Sequence, residues 1–187
     1  LPEIREQDPQ WILTFLKSRK GMLDGVVISG GEPTLQEDLA EYMGKIKSMG
    51  FLIKLDTNGT HPEILKKLLS QKLIDSIAMD LKAQTQKYSD LVKNSCEEQI
   101  EKSIQLIMNA AIEYEFRSTI LPFCHSAKDI EAMGKMIEGA KHWYLQNFRP
   151  LKTLSRSFGK QQCFTQKELE ELASIGKRYV HHLGIRN

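Results

Sequence analysis

From one end of the chain to the other, short apolar runs alternate with longer stretches in which apolar residues recur every three or four positions. The runs are strand-like and the stretches helix-like. Helical spacing covers 8–19, with Trp11, Ile12, Phe15 and Leu16 on one face, Asp8 as cap, Pro9 at the first helical position and Gly21 as the stop. It returns over 36–49 (Leu39, Tyr42, Met43, Ile46, Met49), where Gly50 ends it, and from Pro62 onward (Ile64, Leu65, Leu68, Leu69). Further helices are expected at 97–111 (Ile100, Ile104, Ile107), 127–137 (Ile130, Met133, Ile137) and 166–183, where Thr165 and Glu168 spell a capping box. Strands are expected at 26–28, 51–55, 74–79, 114–120 and 143–148, with a basic loop over 151–162.

Repeated strand–helix units of this length imply parallel strands with helices outside. An open doubly wound sheet and a (β/α) barrel both satisfy the pattern. The chain opens on a helix, so a first strand and the loop after it are expected upstream of Leu1. Residues 1–187 read as one domain.

Bulk properties narrow the function classes. With 26 basic against 24 acidic residues the net charge is +2, with no basic patch for nucleic acid or a membrane surface. No apolar run reaches the length of a membrane span and no signal peptide is visible, so a cytoplasmic protein is expected. Three widely spaced cysteines, Cys96, Cys124 and Cys163, argue for a reducing compartment and against a local metal knuckle. The five histidines show no ligand spacing, and His181-His182 read as solvated helix-end residues.

Chemistry in parallel α/β folds sits at the C-terminal ends of the strands. Here those ends carry Ser29, Gly30, Gly31 and Glu32; then Asp56, Thr57 and Asn58; then Asp80 and Lys82; then Glu115, Arg117 and Thr119; then Gln146, Asn147 and Arg149. Carboxylates and cations beside a glycine-rich turn suit a zwitterionic ligand with a ribose. Taken singly, each has a plainer reading. Gly30-Gly31 is a tight turn, Asp56 and Asn58-Gly59 are turn residues, Asp80 and Lys82 a surface ion pair, and Arg117 the solvent face of a strand. It is their joint occurrence at successive strand ends that points to a site.

These segments resemble a known family. Val26 to Thr34, read as VVISGGEPT, resembles the second motif of radical SAM enzymes. LDTNG at 55–59 and AMDLK at 78–82 resemble the next strand ends of glycyl-radical-enzyme activases. YEFRST at 114–119 and LQNFRP at 145–150 resemble the anaerobic ribonucleoside-triphosphate reductase activating proteins. The resemblance implies a partial (β/α)₆ TIM-like barrel that binds S-adenosylmethionine on a 4Fe-4S cluster. Gly30, Gly31 and Glu32 would then line the methionine end, with Glu32 or nearby backbone accepting from its ammonium. Asp56 and Asp80 would lie near the methionine carboxylate, where related activases hold a monovalent cation, and Lys82 and Asn58 would face the same carboxylate. Arg117 would face the ligand from the fourth strand, and Arg149 stands where a related activase has a ligand-contacting histidine. The implied chemistry is reductive cleavage of the sulfonium to a 5′-deoxyadenosyl radical, which takes hydrogen from a glycine of a partner reductase. A flavodoxin or ferredoxin is the implied electron donor. No side chain is required as an acid or base.

The family's CxxxCxxC motif, which supplies three thiolates to the cluster, does not occur in this sequence. Those ligands are expected upstream, and the 187-residue chain alone is expected to be inactive. Two other readings stay open: a small radical SAM enzyme acting on a small molecule, similar to 7-carboxy-7-deazaguanine synthase, and a clusterless barrel that serves as a binding module.

Overall fold

The computed structural model describes residues 8–84, 96–149 and 163–186. Six strands form one sheet in which every neighbour is parallel and the spatial order follows the chain order. They are β1 (Gly25–Ile28), β2 (Leu52–Thr57), β3 (Ser76–Asp80), β4 (Glu113–Ile120), β5 (His142–Asn147) and β6 (His182–Arg186). The helices are α1 (Pro9–Ser18), α2 (Leu39–Ser48), α3 (Pro62–Ser70), α4 (Glu97–Met108), α5 (Ala127–Met136) and α6 (Gln166–Gly176). A doubly wound sheet reverses its strand order at a switch point, and this sheet never does. Units wound in one sense place all their helices on one side and curl the sheet toward a barrel. Among the described residues β1 and β6 do not pair with each other, so the barrel is partial.

Burial alternates along the strands accordingly. Ile53, Leu55, Phe116, Trp143 and Leu145 are fully buried against the helices. The opposite face, toward the barrel axis, carries Lys54, Asp56, Glu115, Arg117, Tyr144 and Arg186. A closed barrel fills its axis with branched apolar side chains. This one keeps its axis polar, a surface suited to a ligand and not to core packing.

The helix ends follow their local chemistry. The Asp8 carboxylate accepts from Gln10 N at 2.9 Å, and capping boxes close around Ser126–Asp129 and Thr165–Glu168. The apolar face of α1 differs from the expected stripe. Leu13 and Leu16 are buried, whereas Trp11 and Phe15 are 56% and 39% exposed and stack on each other outside. Both stripes satisfy helical spacing, and packing against α2 selects the one centred on Leu13 and Leu16.

The largest departure from the sequence pattern lies at the C-terminus. Helical spacing runs on to 183, but α6 stops at Gly176 and His182 opens a sixth strand. His181-His182 are therefore not helix-end residues: their amides donate to the carbonyls of Ala140 and Lys141, which starts the ladder with β5. The strand signal is only five residues long, and it begins inside a continuing helical period. Gly176 makes the junction possible, because a Cβ there would overlap Leu183 and stand 2.8 Å from Trp143 Cζ3. Gly176→Val is expected to lower stability by about 1–3 kcal/mol through overpacking, read from the urea midpoint.

Candidate functional site

β1 runs into Ser29-Gly30-Gly31-Glu32. Gly30 has φ +113°, with nothing near the position of an added Cβ, so glycine is needed there for its conformation and not for space. Glu32 then pins the turn to the end of β2. Its Oε1 accepts from Thr34 N (3.2 Å), Thr34 Oγ1 (2.6 Å) and Thr57 Oγ1 (2.7 Å), and its Oε2 accepts from Asn58 N (2.6 Å). The acceptors of this carboxylate are thus directed to the protein.

At the end of β2 the Asn58 Oδ1 accepts from Thr60 N and Thr60 Oγ1, the turn role its sequence context allows. Gly59, at φ +77°, lies against the Met79 side chain, and Ser103 Oγ donates to its carbonyl at 2.6 Å. His61 is a residue the sequence pattern did not single out. Its Nδ1 stands 3.0 Å from Thr34 Oγ1 and 2.9 Å from Thr60 Oγ1. Those hydroxyl protons are directed to Glu32 and Asn58, which leaves Nδ1–H as the donor to both oxygens.

Arg117 crosses the rim from β4. Its Nε and Nη2 donate to Asp80 Oδ1 at 3.1 and 3.0 Å, and its Nη1 donates to Asp56 Oδ2 at 3.0 Å. The small Ala78, paired between Asp56 and Glu115, leaves room for the guanidinium to reach β2. Burial works against the charge, but Asp80 and Asp56 outweigh it and hold Arg117 protonated above its ordinary value. Lys82 Nζ lies 3.7 Å from Asp80 Oδ2. Asp56 Oδ1 is buried with no hydrogen-bond partner among the described residues.

Gly30, Gly31, Glu32, Asp56, Asn58, Asp80, Lys82 and Arg117 all line one cavity of about 210 Å³, together with Ser29 and Thr57. Arg149 is exposed beyond β5 and is not part of that lining. Three carboxylates against two cations leave the cavity one net negative charge.

One layer deeper along the axis, Glu115 on β4 reaches past its neighbouring strands to β2 and β6. Lys54 Nζ donates to Oε1 at 3.1 Å, and Arg186 donates through Nη1 to Oε1 at 3.0 Å and through Nη2 to Oε2 at 2.7 Å. The Arg186 guanidinium also stacks 3.6 Å over the Tyr144 ring. Burial pushes the Glu115 carboxyl up, but Arg186 and Lys54 together hold it below the ordinary range. With a folded value depressed below the unfolded one of about 4.3, its stabilisation is complete above that pH and is lost as pH falls through the folded value. Unfolding measured from about pH 7 to pH 3 should therefore steepen in its acid limb, and Glu115→Gln should flatten that limb while costing about 1–2 kcal/mol at neutral pH.

Cys96 is buried, and burial, with Glu97 nearby, raises its thiol above the ordinary value. Cys124 and Cys163 are half-buried, and no disulfide joins any of the three. Among the described residues no three His, Cys, Asp or Glu side chains form a group able to hold a metal ion. The described side chains therefore do not fit an iron–sulfur cluster. None of the described helices is long and apolar enough to cross a membrane.

A partial parallel barrel with a charged rim around a GGEP turn is the arrangement of one large enzyme class, and the chain belongs to it: the radical SAM superfamily profile matches residues 4–137. Within that class it groups with the glycyl-radical enzyme activating enzymes. It is 37% identical over 169 residues to the Methanocaldococcus jannaschii protein named "Putative glycyl-radical enzyme activating enzyme MJ1227", covering 87% of this chain and 70% of that protein. A second protein of that organism, with the same description, is 31% identical over 119 residues, covering 62% of this chain and 46% of that protein. A domain of the pyruvate-formate lyase-activating enzyme from Bacteroides vulgatus shares the fold with a TM-score of 0.70 at 18% identity, covering 87% of this chain and 99% of that domain. Streptococcus suis SuiB bound to S-adenosylmethionine also gives 0.70, at 15% identity, covering 98% of this chain and 45% of SuiB.

Proposed function

We propose that this chain is the S-adenosylmethionine-binding core domain of a cytoplasmic activating enzyme that installs a glycyl radical on an anaerobic ribonucleotide reductase. The observation that carries the ligand assignment is the rim cavity. Its single net negative charge complements a ligand that brings an ammonium, a sulfonium and a carboxylate. Lys82 and Arg117 supply the cationic side for the carboxylate. Asp56 Oδ1, buried and without a partner among the described residues, is the atom left for an ammonium or a monovalent cation. The Gly30–Gly31 backbone can approach a ligand closely because no Cβ intervenes. Glu32 acts one step back by holding that turn against β2.

Bound S-adenosylmethionine supplies the cleavable sulfonium. The side chains of the rim bind and orient it, and the Glu115 layer beneath keeps the axis structured and polar. The activating-enzyme relatives support a glycyl-radical protein as the target, and the choice of the reductase among such proteins rests on the YEFRST and LQNFRP segments. A flavodoxin or ferredoxin is proposed as the electron source.

Calorimetric titration tests the ligand assignment. S-adenosylmethionine should bind in preference to S-adenosylhomocysteine, which lacks the sulfonium charge. Asp56→Asn and Lys82→Met should each weaken binding about tenfold, the loss of one charge-assisted contact. Equal binding of both nucleosides would remove the electrostatic argument. The target is tested by electron paramagnetic resonance after anaerobic incubation of the cluster-bearing enzyme with the reductase. A doublet from a glycyl radical is expected. Its absence, with turnover of a deazaguanine precursor instead, would favour the small-molecule reading.

A further inference from the structure

Beyond Asp80 the chain leaves the sheet, and Lys82 lies on this short segment. Leu81 and Ala83 are buried, and the Leu81 amide donates to the Arg117 carbonyl at 2.8 Å. The next tie comes from the β4–α5 turn. His125 is only 4% exposed, and each of its ring nitrogens meets a backbone group: Leu121 N donates to Nδ1 at 3.1 Å, and Nε2 lies 2.9 Å from the Lys82 carbonyl oxygen. An amide can only donate, so Nδ1 is the acceptor and the proton sits on Nε2, which donates to Lys82 O. Two residues on, Gln84 Nε2 donates to Asp129 Oδ1, the carboxylate that closes the α5 capping box through Ser126. Both His125 and Asp129 are buried polar groups with defined partners, which makes the strap directional and rigid. A cavity of about 260 Å³, lined by His125 and Cys124, shares Asp80, Lys82 and Arg117 with the rim cavity.

We infer that His125 is a positioning residue: its Nε2–H, by holding the Lys82 carbonyl, sets where the Lys82 ammonium meets the ligand carboxylate. This rests on the S-adenosylmethionine reading of the rim. Lys82 is half exposed and carries a long, rotamer-rich side chain. Its reach is therefore defined by where its backbone is anchored, and that anchor is on another strand's loop, 43 residues away. His125 itself touches no ligand.

Two substitutions separate the two ring nitrogens. In His125→Asn the amide oxygen can still accept from Leu121 N, but the side chain is too short for Lys82 O. In His125→Gln the amide nitrogen extends to the position of Nε2 and can still donate to Lys82 O. Calorimetric titration with S-adenosylmethionine is made on folded protein, with circular dichroism melting curves for each variant. His125→Asn should bind about tenfold more weakly, while His125→Gln should stay within about threefold of wild type. In a Lys82→Met background His125→Asn should add no further loss, because the residue acts through Lys82. Wild-type binding with an unchanged His125→Asn, or the same tenfold loss in the Lys82→Met background, would overturn the inference alone. No binding by the wild type would overturn the reading of the rim and this inference with it.

Discussion

Glu32→Ala is expected to lose about 3–5 kcal/mol of stability and most affinity for S-adenosylmethionine, the largest effect of any single rim substitution. The carboxylate receives four hydrogen bonds from three residues. Two of those residues, Thr34 and Thr57, are buried, so their hydroxyls cannot turn to water once the acceptor is gone. The turn that carries Gly30 and Gly31 also loses its attachment to β2. The isosteric Glu32→Gln should rescue it only in part. Its amide nitrogen must replace either Oε1, facing the Thr34 amide, or Oε2, facing the Asn58 amide, and in both cases two donors oppose each other. A residual loss of about 1–2 kcal/mol is expected for the glutamine variant. Urea unfolding and calorimetric titration read the two effects separately. A stable Glu32→Ala protein that binds the nucleoside normally would show that the turn is held by other contacts.

Arg117→Leu is expected to be second, at about 2–4 kcal/mol, because it strands two carboxylates that face the same axis. Arg117 and Asp56 are 18% and 16% exposed in their side chains, and Asp56 already has one oxygen without a partner among the described residues. Asp80 is more exposed, at 38%, and keeps Lys82 nearby, so most of the penalty falls on Asp56. Arg117→Lys should recover only part of it. A single ammonium carries the charge but cannot reproduce a fork that meets Asp80 through Nε and Nη2 and Asp56 through Nη1. A double-mutant cycle of Arg117→Leu with Asp56→Asn should show strong coupling, since neutralising Asp56 removes the charge that Arg117 shields. Additive losses would mean that the pair contributes little beyond its separate contacts.

The two charge layers explain why this sheet tolerates a polar axis. Arg117 joins β4 to β2 and β3 at the rim, and Glu115 joins β4 to β2 and β6 below it. Each layer spans strands that are not neighbours. The curvature of the partial barrel is thus held by side chains on the concave face as well as by the helices outside.

Much of this was legible from residue order alone. Successive units with parallel strands must present the same end of every strand to one rim, so strand order alone brings eight polar and glycine residues from four strand ends to one place, where they line a single cavity. Five of the six strands, the starts of all helices but α2 and the capping box at Thr165–Glu168 follow from local patterns that act within a few residues, whereas the box at Ser126–Asp129 emerges only in the structure. The partners of those rim residues were not legible. Glu32 and Thr57 are 25 residues apart, His125 and Lys82 are 43 apart, and Glu115 and Arg186 are 71 apart. No local rule marks His61 or His125, since a histidine in a loop takes its role from whatever backbone folding brings to its ring. The exposed stripe of α1 and the strand that replaces the tail of α6 belong to the same category. In each, two local patterns satisfy the chain equally well, and burial against a distant surface, α2 in one case and β5 in the other, is what selects between them.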